Sequence, residues 1–102
     1  MKKRKTAAAD QPPAFELATH LSIAQAADLH RLLTARVADG TPLILDGGRV
    51  EQIDTAVLQV LASTWQACMQ RGIACSWKAV SANIRLSAAL IGVGDALHLP
   101  AA

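Results

Sequence analysis

Three times over, this chain follows a short apolar run with a longer run of helical period, and that alternation constrains the fold more than any other feature. "AFELATHLSI" opens with a strand at about Phe15 to Ala18 and turns before Ser22. Ser22 suits the N-cap of a helix starting at Ile23, because a side-chain oxygen there can accept from a free first-turn N–H. Along that helix Ala26, Leu29, Leu33 and Val37 recur at steps of three and four, which lines them up on one face, and Asp39-Gly40 ends it. Leu43-Ile44-Leu45 is apolar without alternation, the pattern of a central strand covered on both faces. From Thr55 to Arg71 the positions Leu58, Leu61, Trp65, Cys68 and Met69 keep helical spacing, and Gly72 stops the helix. "IACSWKAV", Ile73 to Val80, reads as a third strand. Ser81-Ala82-Asn83 opens a third helix with Ile84, Leu86, Leu90 and Ile91 as its apolar members, and "DALHLP" adds a final helical turn.

Helices between consecutive strands demand crossover connections, so the expected class is α/β with a sheet at least partly parallel. Sites in such sheets lie beyond the carboxyl ends of the strands. The chain has 102 residues, enough for one domain with a modest core. Aromatic residues make up 3%, so alanine, leucine and valine must do most of the packing, and a base-stacking surface has little to be built from.

Charge is distributed unevenly. Four of the ten basic residues are Lys2, Lys3, Arg4 and Lys5, which leaves six basic against eight acidic residues elsewhere. A nucleic-acid binder carries its basic side chains on the fold itself, so no nucleic-acid partner is expected. Residues 1–13 read as a flexible basic lead-in and residues 14–102 as one domain. Thr6-Ala7-Ala8-Ala9 followed by Asp10 is too short and too weakly apolar for a signal peptide. No run approaches the ~20 apolar residues that span a bilayer, so no membrane insertion is expected. Cys68 and Cys75 lack metal-site or CxxC spacing and read as reduced, mostly buried thiols of a cytoplasmic protein.

The join Ile53-Asp54-Thr55-Ala56-Val57 carries the most information about function. The leading N–H groups of a helix lack internal partners and carry roughly +0.5 of an elementary charge. Asp54 at the N-cap would accept from Ala56 or Val57 and stabilise the helix by about 1 kcal/mol. Thr55 would then be the first helical residue, its hydroxyl outward. That hydroxyl is also a phospho-acceptor candidate, since an added phosphate beside a helix N-terminus is tolerated there and changes what the surface repels.

"LILDGGRVEQIDTAVLQVLA", residues 43 to 62, resembles the signature of STAS domains, the anti-sigma-factor antagonist fold. The likeness extends over most of residues 15 to 99, including "ELATHLSIAQAADLHRLL" and "IACSWKAVS" followed by "ANIRLSAALIGVGDAL". It implies a four-stranded mixed sheet with helices packed mainly on one face, without catalysis or cofactor, acting by docking. In the antagonist branch a partner kinase phosphorylates a hydroxyl in the join and weakens binding. The serine usually phosphorylated lies two residues after the aspartate, where this chain has Ala56, and Val57 replaces the glycine that usually follows. The "Asp-Thr-small" join is similar to that of chemotaxis-cluster STAS proteins and of the STAS subunit of bacterial phospholipid-transport ABC systems.

The leading expectation is therefore a non-enzymatic, anti-sigma-antagonist-like interaction module of the bacterial cytoplasm, switched by phosphorylation at Thr55. The alternative is an accessory subunit docking on the ATPase of a phospholipid-transport ABC system. The expected partner is an anti-sigma kinase in the first case and a transporter ATPase in the second. Its contact surface would comprise Asp54, Thr55, Ala56 and Val57, the exposed face of the following helix, and the loop at His20 to Ser22. His20, His30 and His98 have no metal-triad spacing. Gly47-Gly48 lacks the GxxxxGK[ST] of a phosphate loop and reads as a tight turn needing positive φ. No nucleophile–base pair supports an enzyme.

Overall fold

The computed structural model describes residues 13–101, so the expected basic lead-in lies almost wholly outside the described residues. The element order is β1 (Phe15–Glu16), β2 (His20–Leu21), α1 (Ile23–Ala38), β3 (Leu43–Gly47), β4 (Gln52–Ile53), α2 (Thr55–Gln70), β5 (Cys75–Val80) and α3 (Ala82–Ile91). The α/β class and all three helices agree with the sequence reading. The single four-stranded mixed sheet does not. The described residues form a three-stranded sheet in the order β1-β3-β5 and a separate pair β2-β4, and every pairing is parallel.

The ladder divides because its two chains advance unequally. From Glu16 to His20 the first chain moves four residues, while from Asp46 to Gln52 the second moves six. The surplus loops out at Gly47-Gly48-Arg49, where Asp46 Oδ1 accepts from the Gly48 N–H (3.1 Å) and Gly47 O from the Val50 N–H (3.3 Å). Pairing then resumes, with Thr19 O accepting from the Glu51 N–H at 2.8 Å.

β3 is central, as expected, but it is covered on one face. Leu43, Leu45 and Gly47 are buried while Ile44 and Asp46 are half-buried. Right-handed crossovers stepping one way across a sheet leave their helices on the same side, and α1 and α2 do pack together. Leu29, Leu33 and Val37 of α1 meet Val57, Leu58, Leu61, Trp65 and Cys68 of α2 in one core. Each such large apolar side chain stabilises the fold by about 1.5–3 kcal/mol when fully buried. With so few aromatics, the two tryptophans act as a unit. Trp65 stacks on Trp77 at 5.3 Å, and Trp77 Nε1 donates to Leu97 O (2.9 Å), pinning the C-terminal turn to β5.

Two expectations fail on packing. On α3, Ile84 and Ala88 are fully buried whereas Leu86 and Leu90 are 63% and 85% exposed, so the helix is rotated from the stripe read in the sequence. The turn at Gly47-Gly48 also needs no positive φ, since among the described glycines only Gly40, Gly72 and Gly92 have one. Gly47 is required for closeness instead: a Cβ there would lie 2.5 Å from Ile84 Cδ1 and 3.1 Å from Trp77 Cζ3.

Candidate functional site

Parallel pairing of β2 with β4 puts His20 opposite Gln52 and Leu21 opposite Ile53, and the Asp54 N–H continues the ladder to Leu21 O (2.9 Å). Both short strands run directly into helices, so the N-termini of α1 and α2 emerge side by side. The segment His20–Ser22 and the residues from Asp54 onward, far apart in the chain, thus form one edge at the carboxyl ends of the strands. His20, Ser22, Gln52 and Asp54 line a small cleft there, of about 140 Å³.

Asp54 does not cap its own helix. Its Oδ2 accepts from the Ile23 N–H at 2.8 Å, so this carboxylate caps α1 from across the cleft. Its backbone carbonyl, in contrast, starts α2 by accepting from Val57 and Leu58 (3.0 and 3.2 Å). Ser22 occupies the expected cap position of α1 and forms a capping box with Gln25, its N–H and its hydroxyl both donating to Gln25 Oε1 (2.8 and 3.3 Å). The exchange has a geometric reason. A β-strand entering α2 directs the Asp54 side chain toward the adjacent helix end, whose first N–H is equally free. One negative group thereby serves two positive helix ends.

Thr55 is exposed as the first residue of α2, and Ala56 is half-buried. Val57, expected at the surface, is fully buried. One residue further into the helix its side chain points at the core, so Val57 holds the join in place and presents nothing to a partner.

Beyond the join, α2 carries no Asp, Glu, Lys or Arg in its sixteen residues. Its exposed ridge is Gln59, Ser63, Gln66 and Met69, the last 61% exposed. Two open grooves of about 390 and 400 Å³ flank that ridge. One lies between α1 and α2 over Ala26, Ala27, Ala56 and Val60 and is bordered by His30. The other lies between α2 and the C-terminal turn over Ala62, Met69 and Ala96 and is bordered by His98. Ile23, whose N–H is capped by Asp54, leaves its side chain 70% exposed at the same end. Charge depletion with apolar floors and amide rims is the composition of a protein interface core.

A family model described as "Mlab, STAS domain" matches residues 5–100. The chain belongs to the STAS-domain family. STAS domains are protein-interaction and regulatory modules, generally without enzymatic activity. No curated protein matches this one. Among the described helices of this STAS domain none is long and apolar enough to cross a membrane.

The other polar candidates have structural work. Asp46 closes its own turn, as described above. Cys68 is buried and Cys75 half-buried, and both are free thiols. Burial, and then the neighbouring Cys68, push the Cys75 thiol well above its ordinary range, so it stays protonated. The exposed rank of Gln59, Ser63 and Gln66 was legible as the polar side of the helical period. The cross-helix bond of Asp54 had no local signal at all.

Proposed function

We propose that this STAS domain is a docking subunit that seats the face of α2 on a partner protein, with Thr55 at the contact and not modified. The partner we favour is the ATPase subunit of a bacterial phospholipid-transport ABC system, in the cytoplasm. One observation carries this reading: the surface running from Thr55 and Ile23 along Gln59, Ser63 and Met69 contains no formally charged residue of α2. Such a face suits a lasting contact, since burying it strands no unpaired ion. Ala56 at the position of the usual phosphorylated serine agrees with it. His20, Ser22, Asp54 and Ala56 border the contact, Asp54 holding both helix ends in register for it.

A second reading keeps the anti-sigma-antagonist role, with phosphorylation of Thr55 releasing a partner kinase. It is favoured by the exposure of Thr55 where two helix N-termini meet. Affinity capture of the tagged protein from its own cells, with mass spectrometry of the bound proteins and of Thr55, separates the two. A transporter ATPase with unmodified Thr55 supports docking. A histidine-kinase-like ATPase with phosphate on Thr55 overturns it in favour of the switch. Binding to the recovered partner gives the second test. Docking requires Thr55→Ala and Thr55→Glu both to weaken it, by about 1–2 kcal/mol for one lost buried hydrogen bond. A switch requires Thr55→Ala to bind constitutively and Thr55→Glu not at all.

A further inference from the structure

Of the six large apolar side chains that the described residues leave exposed, three stand on α3: Leu86, Leu90 and Ile91, at 63%, 85% and 38%. Leu90 is the most exposed of the six. Leu86 and Leu90 are four positions apart, so they lie one above the other on the outer side of the helix, and Ala82 completes the same row. Ala82 is exposed as well, and so are Asn83 and Ala89 beside the row. The one charged residue of the helix, Arg85, is engaged elsewhere, its guanidinium donating to Pro100 O at 2.6 Å. The outer row of α3 is thus apolar from Ala82 to Leu90 and carries no formal charge.

We infer that this face is a contact with a second copy of the chain, two α3 helices packing across a twofold axis at Leu86. The inference stands apart from the docking reading above, because no residue of α3 lines the grooves that flank the α2 ridge. A dimer formed in this way leaves both α2 faces open.

The row itself selects the occupant. Side chains four apart form the ridges that most often interlock between helices. A twofold axis sets one face against itself, so that face must be self-complementary. With the axis at Leu86 the two helices run in opposite directions, and each residue meets the one equally far on the other side of position 86. Leu90 then faces Ala82 of the second copy, Ala82 faces Leu90 of the second copy, and the two Leu86 side chains meet at the centre. Large opposes small at both ends, the arrangement in which facing positions interdigitate. Asn83 meets Ala89 at the border of the row, where its amide keeps its water. No like charges are brought together, because the row has none. A lipid surface suits the face less, since helices that lie on membranes carry several Lys and Arg on their polar side and α3 has Arg85 alone.

The contact is small. A helix of 10 residues offers less than a standard interface, so a weak dimer with a Kd of about 10–100 µM is expected. Leu86 and Leu90 lie outside the core of the monomer, so both can be changed without loss of the fold.

Sedimentation equilibrium of the purified full chain, from low micromolar to near-millimolar concentration, tests the inference. The wild type should pass from monomer to dimer across that range. Leu86→Glu and Leu86→Lys each bring like charges together at the axis, and each alone should weaken association about 100-fold. An equimolar mixture of the two sets a carboxylate against an ammonium and should associate more tightly than either variant by itself, an outcome that requires position 86 to face itself. Leu32→Glu charges an exposed leucine of α1 instead and should dimerise as the wild type does. Far-UV circular dichroism checks that each variant is folded. A wild type that stays monomeric up to near-millimolar concentration overturns the inference and leaves the face to a different protein. A dimer that survives Leu86→Glu, or one that Leu32→Glu dissolves, overturns it too, because the contact then lies elsewhere. A mixture no tighter than its components overturns the axis at Leu86.

Discussion

Removing the Asp54 carboxylate should destabilise the N-terminus of α1, the helix it does not belong to. The bond from the Ile23 N–H to Oδ2 spans 31 residues at 2.8 Å. Its acceptor is charged, and hydrogen bonds to charged groups contribute about 1.5–3 kcal/mol. Asp54 is only half-buried, which places the value toward the lower end, and lost helix-dipole stabilisation adds a few tenths. Asp54→Ala should therefore cost about 2 kcal/mol, and Asp54→Asn about half of that because an oxygen acceptor remains. For a domain of this size such a loss lowers the melting temperature by roughly 10 °C. Urea unfolding of both variants measures it, with Ser22→Ala as the comparison, expected to cost less than Asp54→Ala because its hydroxyl is neutral and exposed. Hydrogen exchange locates the effect. The Ile23 amide should lose protection, while Val57 and Leu58, bonded to the Asp54 backbone carbonyl, keep theirs. The reasoning is refuted if Asp54→Ala unfolds within about 0.5 kcal/mol of the wild type, or if Ser22→Ala costs as much.

Three further outcomes are expected. Gly47→Ala should destabilise by about 1–3 kcal/mol in urea unfolding, because its methyl would press on Ile84 Cδ1 and the ring of Trp77. Leu86→Gln and Leu90→Gln should each change stability by less than about 0.5 kcal/mol by the same measure, because both apolar side chains of α3 are largely exposed. The Cys75 thiol, held protonated by burial and by Cys68, should react with iodoacetamide at about pH 8 far more slowly in the native protein than in urea, as followed by mass spectrometry.

Much of the fold was legible because its signals are local. The apolar steps of α1 and α2 put Leu29, Leu33, Val37, Leu58, Leu61 and Trp65 in the core, and those residues are buried. Gly40 and Gly72, read as helix stops, do take positive φ just beyond α1 and α2. On α3 the same method failed, since "NIRLSAALI" offers apolar residues on more than one side of the helix. Packing of Ile84 against Gly47 and of Arg85 against Pro100 O chose the buried side.

The candidate site divides along the same line. That a helix begins at Thr55, that Asp54 stands at its entry and that α2 bears no charge are properties of consecutive residues, and the sequence by itself determined them. Which N–H the Asp54 carboxylate meets, that Val57 turns inward, and that His30 and His98 border one surface were decided only when β2 paired with β4 and the two helices came side by side. Helical periodicity and capping are set by neighbours along the chain, whereas a bond across 31 residues depends on the register of two strands, which no local pattern encodes.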